Sequence, residues 1–290
     1  MDTAHKVSQI SKKMGFPVTC LGVPKTVDND LFATDHTPGY PSAARYTALS
    51  VQQAGRLARD MQKVDQFTIY QSIGRDSGWL TAAGALAKRS ADDAPHLVYM
   101  PERAFDEERF LDDVADAHAR FGYVAIVCGE GIRYADGTPV SASRTTDKFA
   151  NVEFGAMGGA SVGLQLHRMV SDRFGWRGEF QITESLPMCA IDRAVESDLA
   201  EAHACGREAA RLAGEGATGV MVTIVRESSD PYRYSLGTAA LEDVAVRAKP
   251  MPDAMINEDG NFPSEAFFGY ARPLVGDLPE HADLDFERIP

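Results

Sequence analysis

The chain has 290 residues, 44% of them hydrophobic, enough to bury a large core in one large domain or two lobes. Its formal net charge of −13 argues against nucleic acid or an anionic membrane as a partner, because both are met by basic patches that displace counterions. Cys20, Cys128, Cys189 and Cys205 lie far apart, with neither CxxC spacing nor His partners, so they suggest no disulfide framework or zinc site and fit a reducing cytoplasm. No apolar run approaches membrane-spanning length, and the N-terminal MDTAHKVSQISKKMGF is amphipathic rather than signal-like.

In chain order, Asp2 or Thr3 can cap a helix running to about Met14 and closed by Gly15. Phe16 to Val23 then reads as a buried strand feeding a polar loop. Ser42 to about Met61 has helical spacing, and Phe67 to Ile73 reads as a strand. A Gly-Arg-Asp-Ser-Gly turn opens the next helix, through Trp79, Leu80 and Leu86. A strand at His96 to Met100, a helix at about Glu107 to Arg120 and a strand at Tyr123 to Cys128 follow. Residues 134–148 are polar, with a turn at Asp136-Gly137-Thr138-Pro139. A helix from about Gly158 to Phe174 leads to a short strand at Phe180 to Thr183, a helix at Glu196 to Leu212 and a buried strand at Gly219 to Val225. Beyond Met251 the chain is richer in Pro and Gly and is expected to wrap the surface. Alternation of strand and helix predicts an α/β protein with a mostly parallel sheet and helices on both faces.

Open α/β sheets bind ligands in the loops at strand ends, and three such loops carry chemistry here. Val23-Pro24-Lys25-Thr26-Val27-Asp28-Asn29-Asp30 places two carboxylates at i and i+2, which in an extended loop point the same way, beside an ammonium and a hydroxyl. That set can supply a base, a metal ligand and an anion contact together, as phosphoryl transfer requires. A solvated turn accounts for the same residue types, since Pro, Asn and Asp favour turns locally. At Ile73-Gly74-Arg75, glycine lets the backbone approach an anion and arginine adds a two-pronged donor; a glycine turn beside a surface arginine is the alternative. At Gly129-Glu130-Gly131, the carboxylate can accept hydrogen bonds from sugar hydroxyls or serve as a helix cap. Pro101-Glu102 reads as structural.

The order of residues adds a resemblance. PKTVDND resembles the PKTIDND signature of the phosphofructokinase superfamily, in its pyrophosphate-dependent branch, and IGRDSGWLTAAGAL is similar to that family's MGRxAGWLA. The ending NEDGNFPSEAFFGYARPLVG is similar to the C-terminal segment of longer bacterial members. The resemblance implies a two-lobed fold, with a donor lobe from 1–40 and about 188–230 and an acceptor lobe from about 41–187 and 231–290. It implies Mg2+-dependent transfer from pyrophosphate, or less readily ATP, to the 1-hydroxyl of fructose 6-phosphate or a related sugar, in a cytoplasmic homo-oligomer, a dimer or tetramer.

Carried over by position, the resemblance makes Asp28 the base on the acceptor hydroxyl and Asp30 an orienting residue and magnesium ligand. Thr26 would bond the transferring phosphoryl group and Lys25 the donor, while Gly74, Arg75 and Glu130 would hold the acceptor. In that family the first helix follows a GGDDS or GGNDS loop, with Met1-Asp2-Thr3-Ala4 resembling the residues just past it. The resemblance therefore implies an incomplete donor lobe and little activity from this chain alone. A family kinase with another sugar or polyol acceptor, or a non-catalytic truncated paralogue, are the alternatives.

Some positions depart from the family pattern. Its glutamate in ExMGR is Gln71, an arginine ahead of that strand is Gln66, and its QR motif falls on Pro187-Met188. Those arginines clamp the acceptor's phosphate in the family, some from a neighbouring subunit. Arg177, Arg193 or His167 would have to compensate, or the acceptor's phosphate would be placed differently or absent.

Overall fold

The computed structural model describes residues 1–141 and 161–281. Two sheets organise it. One has three strands: β1 (Leu21–Gly22) pairs in parallel with β6 (Val220–Ser229), which forms an antiparallel hairpin with β7 (Tyr232–Ala240). The other is fully parallel, in the order β3 (Leu97–Tyr99), β4 (Val124–Gly129), β2 (Phe67–Ser72), β5 (Gly178–Ile182).

The four-stranded sheet is covered on both faces, which is why β2 and β4 are buried along their whole length. Alternating side chains divide the core in two. Tyr70, Val98 and Val127 face α2 (Tyr40–Met61), α3 (Trp79–Ala83) and α8 (Glu265–Val275). Phe67, Ile69, Leu97, Ile126 and Cys128 face α4 (Glu107–Phe121) and α5 (Val162–Phe174). Local chemistry sets the helix ends. The Asp106 side chain accepts from the Arg109 amide at the start of α4, Ser161 accepts from the Leu164 amide at the start of α5, and left-handed Gly122 and Gly175 close them.

On the three-stranded sheet, Val222 and Ile224 pack on Cys205 and Ala209 of α6 (Glu196–Gly214). Met221 on the opposite face meets Leu241 and Val244 of α7 (Leu241–Val246). Helix α1 (Asp2–Met14), closed by left-handed Gly15 as its sequence predicts, lies beside α7 through Met1 and Ala4.

Three expectations change. The stretch Phe16 to Val23 pairs only at Leu21–Gly22, with Phe16 66% and Val23 44% exposed. Pro17 lacks an amide donor, and β1 has a single neighbour, so burial and pairing stop early. The hairpin partner β7 was not expected, although Tyr232, Tyr234 and Leu236 alternate after an Asp230-Pro231 turn, and its antiparallel pairing breaks the parallel rule. The segment beyond Met251 is core as well as surface. Met251, Phe267, Ala271 and Leu274 are buried against the same cluster as Tyr70 and Val127, and each large apolar side chain so buried contributes about 1.5 to 3 kcal/mol. The polar stretch from 142 to 148 and the expected helix start at 158–160 lie outside the described residues.

Candidate active site

The parallel register sets Ser72 opposite Gly129, so the loops that follow β2 and β4 leave the sheet side by side at its C-terminal edge. There the Gly74 amide donates to Glu130 Oε1 at 3.2 Å. Gly74 has φ 127°, a conformation open to glycine, and a Cβ on it would meet the Ser77 carbonyl at 2.6 Å. Gly131 is equally constrained by space, since a Cβ there would fall 1.6 Å from the Arg75 carbonyl. Two bare backbones thus pack against each other and aim the exposed Arg75 and half-buried Glu130 into one cleft.

The loop after β1 approaches from the other sheet. Ser77 Oγ donates to the Asp28 carbonyl at 3.0 Å, Thr26 Oγ1 accepts from the Asp28 amide at 3.2 Å, and Thr37 Oγ1 donates to the Thr26 carbonyl at 2.7 Å. The expected extended conformation is absent. Val27 and Asp28 form a turn and buried Asn29 is left-handed at φ 58°, so Asp28 and Asp30 are related through a bend instead of by strand alternation.

Charge shows how close these groups lie. Burial, then the neighbouring Asp30 carboxylate, pushes the Asp28 carboxyl up to about 6, against opposition from Arg75 and Lys25. Burial likewise raises Asp30, with Lys249 pulling it down. Burial lifts Glu130 to about 7, helped by the charges of Asp28 and Glu184 and opposed by its bond from Gly74. Asp28, Asp30, Lys25, Arg75 and Glu130 are therefore brought to one place. Carboxylates raised toward neutrality beside two cations can exchange a proton with a bound hydroxyl and bind an anionic group. Among the described residues, no group of three or more His, Cys, Asp or Glu side chains is arranged to hold a metal ion.

The departures occupy different places. Gln71 Oε1 accepts from the Gly163 amide at 2.8 Å, holding the start of α5. Gln66 bonds the Arg177 amide and the Val64 carbonyl at the opposite end of β2, roughly 20 Å along the strand from Gly74. Within this chain it does not reach the cleft. Nor do the proposed substitutes: Arg177 pairs with Asp65, His167 bonds the Gly178 carbonyl, and Arg193 lies over Tyr46 and donates to Ser50. Met188 lines a separate cavity, which shares only Lys25 with the residues gathered around Asp28. This largely apolar cavity of about 310 Å³ is lined by Lys25, Val27, Ser42, Met188, Ile191 and Asp198, among others. Asp198 is engaged there as a remote helix cap, accepting from the amides of Gly39 at 2.7 Å and Ser42 at 3.1 Å at the start of α2. Glu102 is structural as expected, its Oε1 accepting from the amides of Gly78 and Met251.

Sequence reasoning missed the support under the loop. Arg226 of β6 grips Asp35 through Nε at 3.1 Å and Nη2 at 2.9 Å. Fully buried His36 sets its two ring nitrogens against Asp35 and Glu201. Burial opposes charging this ring, but the two carboxylates outweigh it and raise its pKa above the usual value. Half-buried Lys249, which donates to Asn29 Oδ1, completes the support. The Asp-His pair right after the signature loop was the available clue.

A phosphofructokinase family model matches residues 1–201. The pyrophosphate–fructose 6-phosphate 1-phosphotransferase of Xanthomonas campestris pv. campestris is 39% identical over 96% of this chain and 66% of its own. A sulfofructose kinase of Alkalicoccus urumqiensis is 30% identical over 89% of this chain and 65% of its own. The crystal structure of a pyrophosphate-dependent phosphofructokinase from Marinobacter aquaeolei superposes with a TM-score of 0.83 at 34% identity, covering 97% of this chain and 67% of that one. The chain spans about two thirds of the length of the curated relatives it matches. No helix among the described residues is long and apolar enough to cross a membrane. With this match, and with the two-sheet α/β architecture it shares with solved members, the chain belongs to the phosphofructokinase family.

Proposed function

We propose that the chain carries the catalytic loop of a phosphotransferase that moves a phosphoryl group from pyrophosphate to a hydroxyl of fructose 6-phosphate or a related sugar. The observation that carries this reading is the Asp28 carboxyl, raised to about 6 in a cleft that also holds Asp30, Lys25, Arg75 and Glu130. Asp28, ionised above that pH, takes the proton of the attacking hydroxyl as the new P–O bond forms and the bridging P–O bond of pyrophosphate breaks, releasing orthophosphate. Thr26 bonds the moving phosphoryl group, Lys25 and Arg75 offset its charge, and the Gly74 loop with Glu130 orients the sugar hydroxyls. The three-stranded sheet then belongs to the donor side and the four-stranded sheet to the acceptor side, with β7 joining the first.

Mg2+ prefers oxygen donors, keeps several waters, and is commonly bound by one or two carboxylates plus substrate phosphates. Asp30, partly buried beside Asp28, fits that donor set, and bound magnesium would neutralise the phosphate charge. Lys25 favours pyrophosphate over ATP, since an ammonium there pairs with the compact polyanion and fills space a nucleotide's α-phosphate would need. A cytoplasmic homo-oligomer is part of the same reading.

The test is transfer to fructose 6-phosphate with pyrophosphate and ATP in competition, against an Asp28→Asn control. Preference for pyrophosphate, abolished by the substitution, is the expected result; preference for ATP, or turnover indifferent to Asp28→Asn, overturns it.

A further inference from the structure

Asn29 lies between the two aspartates, fully buried, in the left-handed backbone conformation that asparagine adopts more readily than most non-glycine residues. Its buried side chain is fixed from two sides. Asn29 Oδ1 accepts from Lys249 Nζ at 3.0 Å, and Asn29 Nδ2 donates to the Tyr270 hydroxyl at 2.8 Å. An ammonium only donates, so the amide oxygen must face Lys249 and the amide nitrogen Tyr270. The Tyr270 proton then goes to the Asp35 carbonyl at 2.9 Å.

We propose that Lys249 is a positioning residue, which fixes the relative orientation of Asp28 and Asp30 by gripping the buried amide of Asn29 between them.

Its ammonium has three N–H donors, and three acceptors meet it: Asn29 Oδ1, the Thr34 carbonyl at 3.1 Å and the Asp35 carbonyl at 2.7 Å. None is left for a substrate phosphate, which separates Lys249 from the exposed Lys25. The main chain of Lys249 is tied into the same loop. Its amide donates to the Asp30 carbonyl at 2.7 Å, its carbonyl accepts from Trp79 Nε1 at 3.1 Å, and Leu31 and Ala248 form an antiparallel bridge. The ammonium also sits 5.1 Å from the Trp79 ring centre. Burial lowers its pKa to about 8, so it remains largely charged at neutral pH. Without the ammonium, the Asn29 amide oxygen loses its partner and the left-handed turn loses its clamp. The inference rests on the phosphoryl-transfer reading only for what the two aspartates do, since the clamp itself is read independently of turnover.

The experiment compares the chain with Lys249→Met and Tyr270→Phe by amide hydrogen exchange, and by kcat and KM with pyrophosphate and fructose 6-phosphate. Exchange over residues 28–31 should accelerate by about tenfold or more while β2 and β4 keep their protection. In the same variants kcat should fall roughly 10- to 100-fold, with the sugar KM changed by less than about twofold. Unchanged exchange at 28–31, or acceleration spread evenly through the strands, overturns the clamp and leaves Lys249 a packing residue. A rise in KM at constant kcat overturns positioning in favour of substrate binding. If Lys249→Met does not fold, Tyr270→Phe removes one oxygen from the same clamp and decides. If the unaltered chain turns over no pyrophosphate, the exchange measurement alone decides the clamp.

Discussion

The Gly74 amide donates to Glu130 Oε1 across 3.2 Å, joining the loop that ends β2 to the loop that ends β4. The bond gives Glu130 two tasks, since the carboxylate that shapes the Gly74-Arg75 turn also has an oxygen free of that bond to face a sugar. Glu130→Ala should therefore raise the acceptor KM by roughly tenfold or more, the worth of a charge-assisted hydrogen bond, and also loosen Arg75. Glu130→Gln keeps an acceptor for the Gly74 amide and should lose less. Steady-state kinetics of both variants check this, and equal damage from the two would assign the effect to charge alone.

The pH dependence follows from the same cluster. Asp28 must be ionised to accept a proton, and burial with the Asp30 charge holds it protonated up to about pH 6, while Glu130 stays protonated to about 7. Catalytic efficiency should therefore fall on the acid side from about pH 7 and steeply below 6, with apparent pKa values belonging to the coupled pair. A rate constant from pH 8 to pH 5 would remove Asp28 from the role of base.

Stability should move opposite to activity. A carboxyl of ordinary value 3.8 that rises to about 6 on folding favours the fold when neutral; that contribution is complete below about 3.8 and lost as pH rises through 6. At pH 8 the buried ionised Asp28 is thus a burden on the order of 2 kcal/mol, which Asp28→Asn removes. The variant should lose about 10²- to 10⁴-fold in kcat yet unfold at higher urea than the parent at pH 8, with the gap closing near pH 4. Equal midpoints at pH 8 would mean that Asp28 is not strained in the cleft.

The backbone packing beneath the cleft offers a steric test. A methyl group at Gly131 would collide with main chain at Arg75, and main chain yields only by shifting the loop. Gly131→Ala should cost about 1 to 3 kcal/mol and lower kcat/KM together. Gly206, inside α6 with no atom within 4 Å of a built Cβ, is the contrast. Gly206→Ala should stabilise by about 0.5 to 1 kcal/mol without touching turnover. Thermal melts of the two variants decide it, and opposite signs are required.

The parts legible in sequence were those set by short-range periodicity or by motif. Helices α1, α2, α4 and α6 fall within a few residues of expectation because apolar spacing is a local signal, although Met1 rather than Asp2 or Thr3 precedes α1 and no side chain caps it. The cleft residues Asp28, Gly74 and Glu130 stood out because each follows a strand. What stayed hidden was set by distant partners. Phe16 reads as buried, yet among the described residues no second strand covers it. Lys249 carries no motif or periodicity that marks it, and only the fold brings it 220 residues back along the chain to Asn29. Gln66 reads as a lost phosphate ligand because alignment gives its place in sequence but not which end of β2 it occupies.

That last point narrows the question of acceptor specificity to Met188. Gln66 lies away from the cleft, whereas Met188 is 56% exposed and lines the cavity beside Lys25, at the position the family resemblance gives to a phosphate-clamping arginine. A thioether there supplies no donor to a phosphate dianion, and none of Arg177, Arg193 and His167 turns toward that cavity. Fructose 6-phosphate should therefore be held weakly, and a sugar with its anionic group elsewhere, or without one, at least as well. Met188→Arg restores a guanidinium at a site with room for it, worth about 1.5 to 3 kcal/mol if it meets the phosphate, which is roughly a 10- to 100-fold drop in KM for fructose 6-phosphate. The affinity for unphosphorylated sugars should not improve. Comparing fructose 6-phosphate, sedoheptulose 7-phosphate and unphosphorylated fructose in parent and variant separates the possibilities. Micromolar KM for fructose 6-phosphate in the parent, with no gain from the arginine, would show that other cations hold the phosphate and that Met188 plays no part in choosing the acceptor.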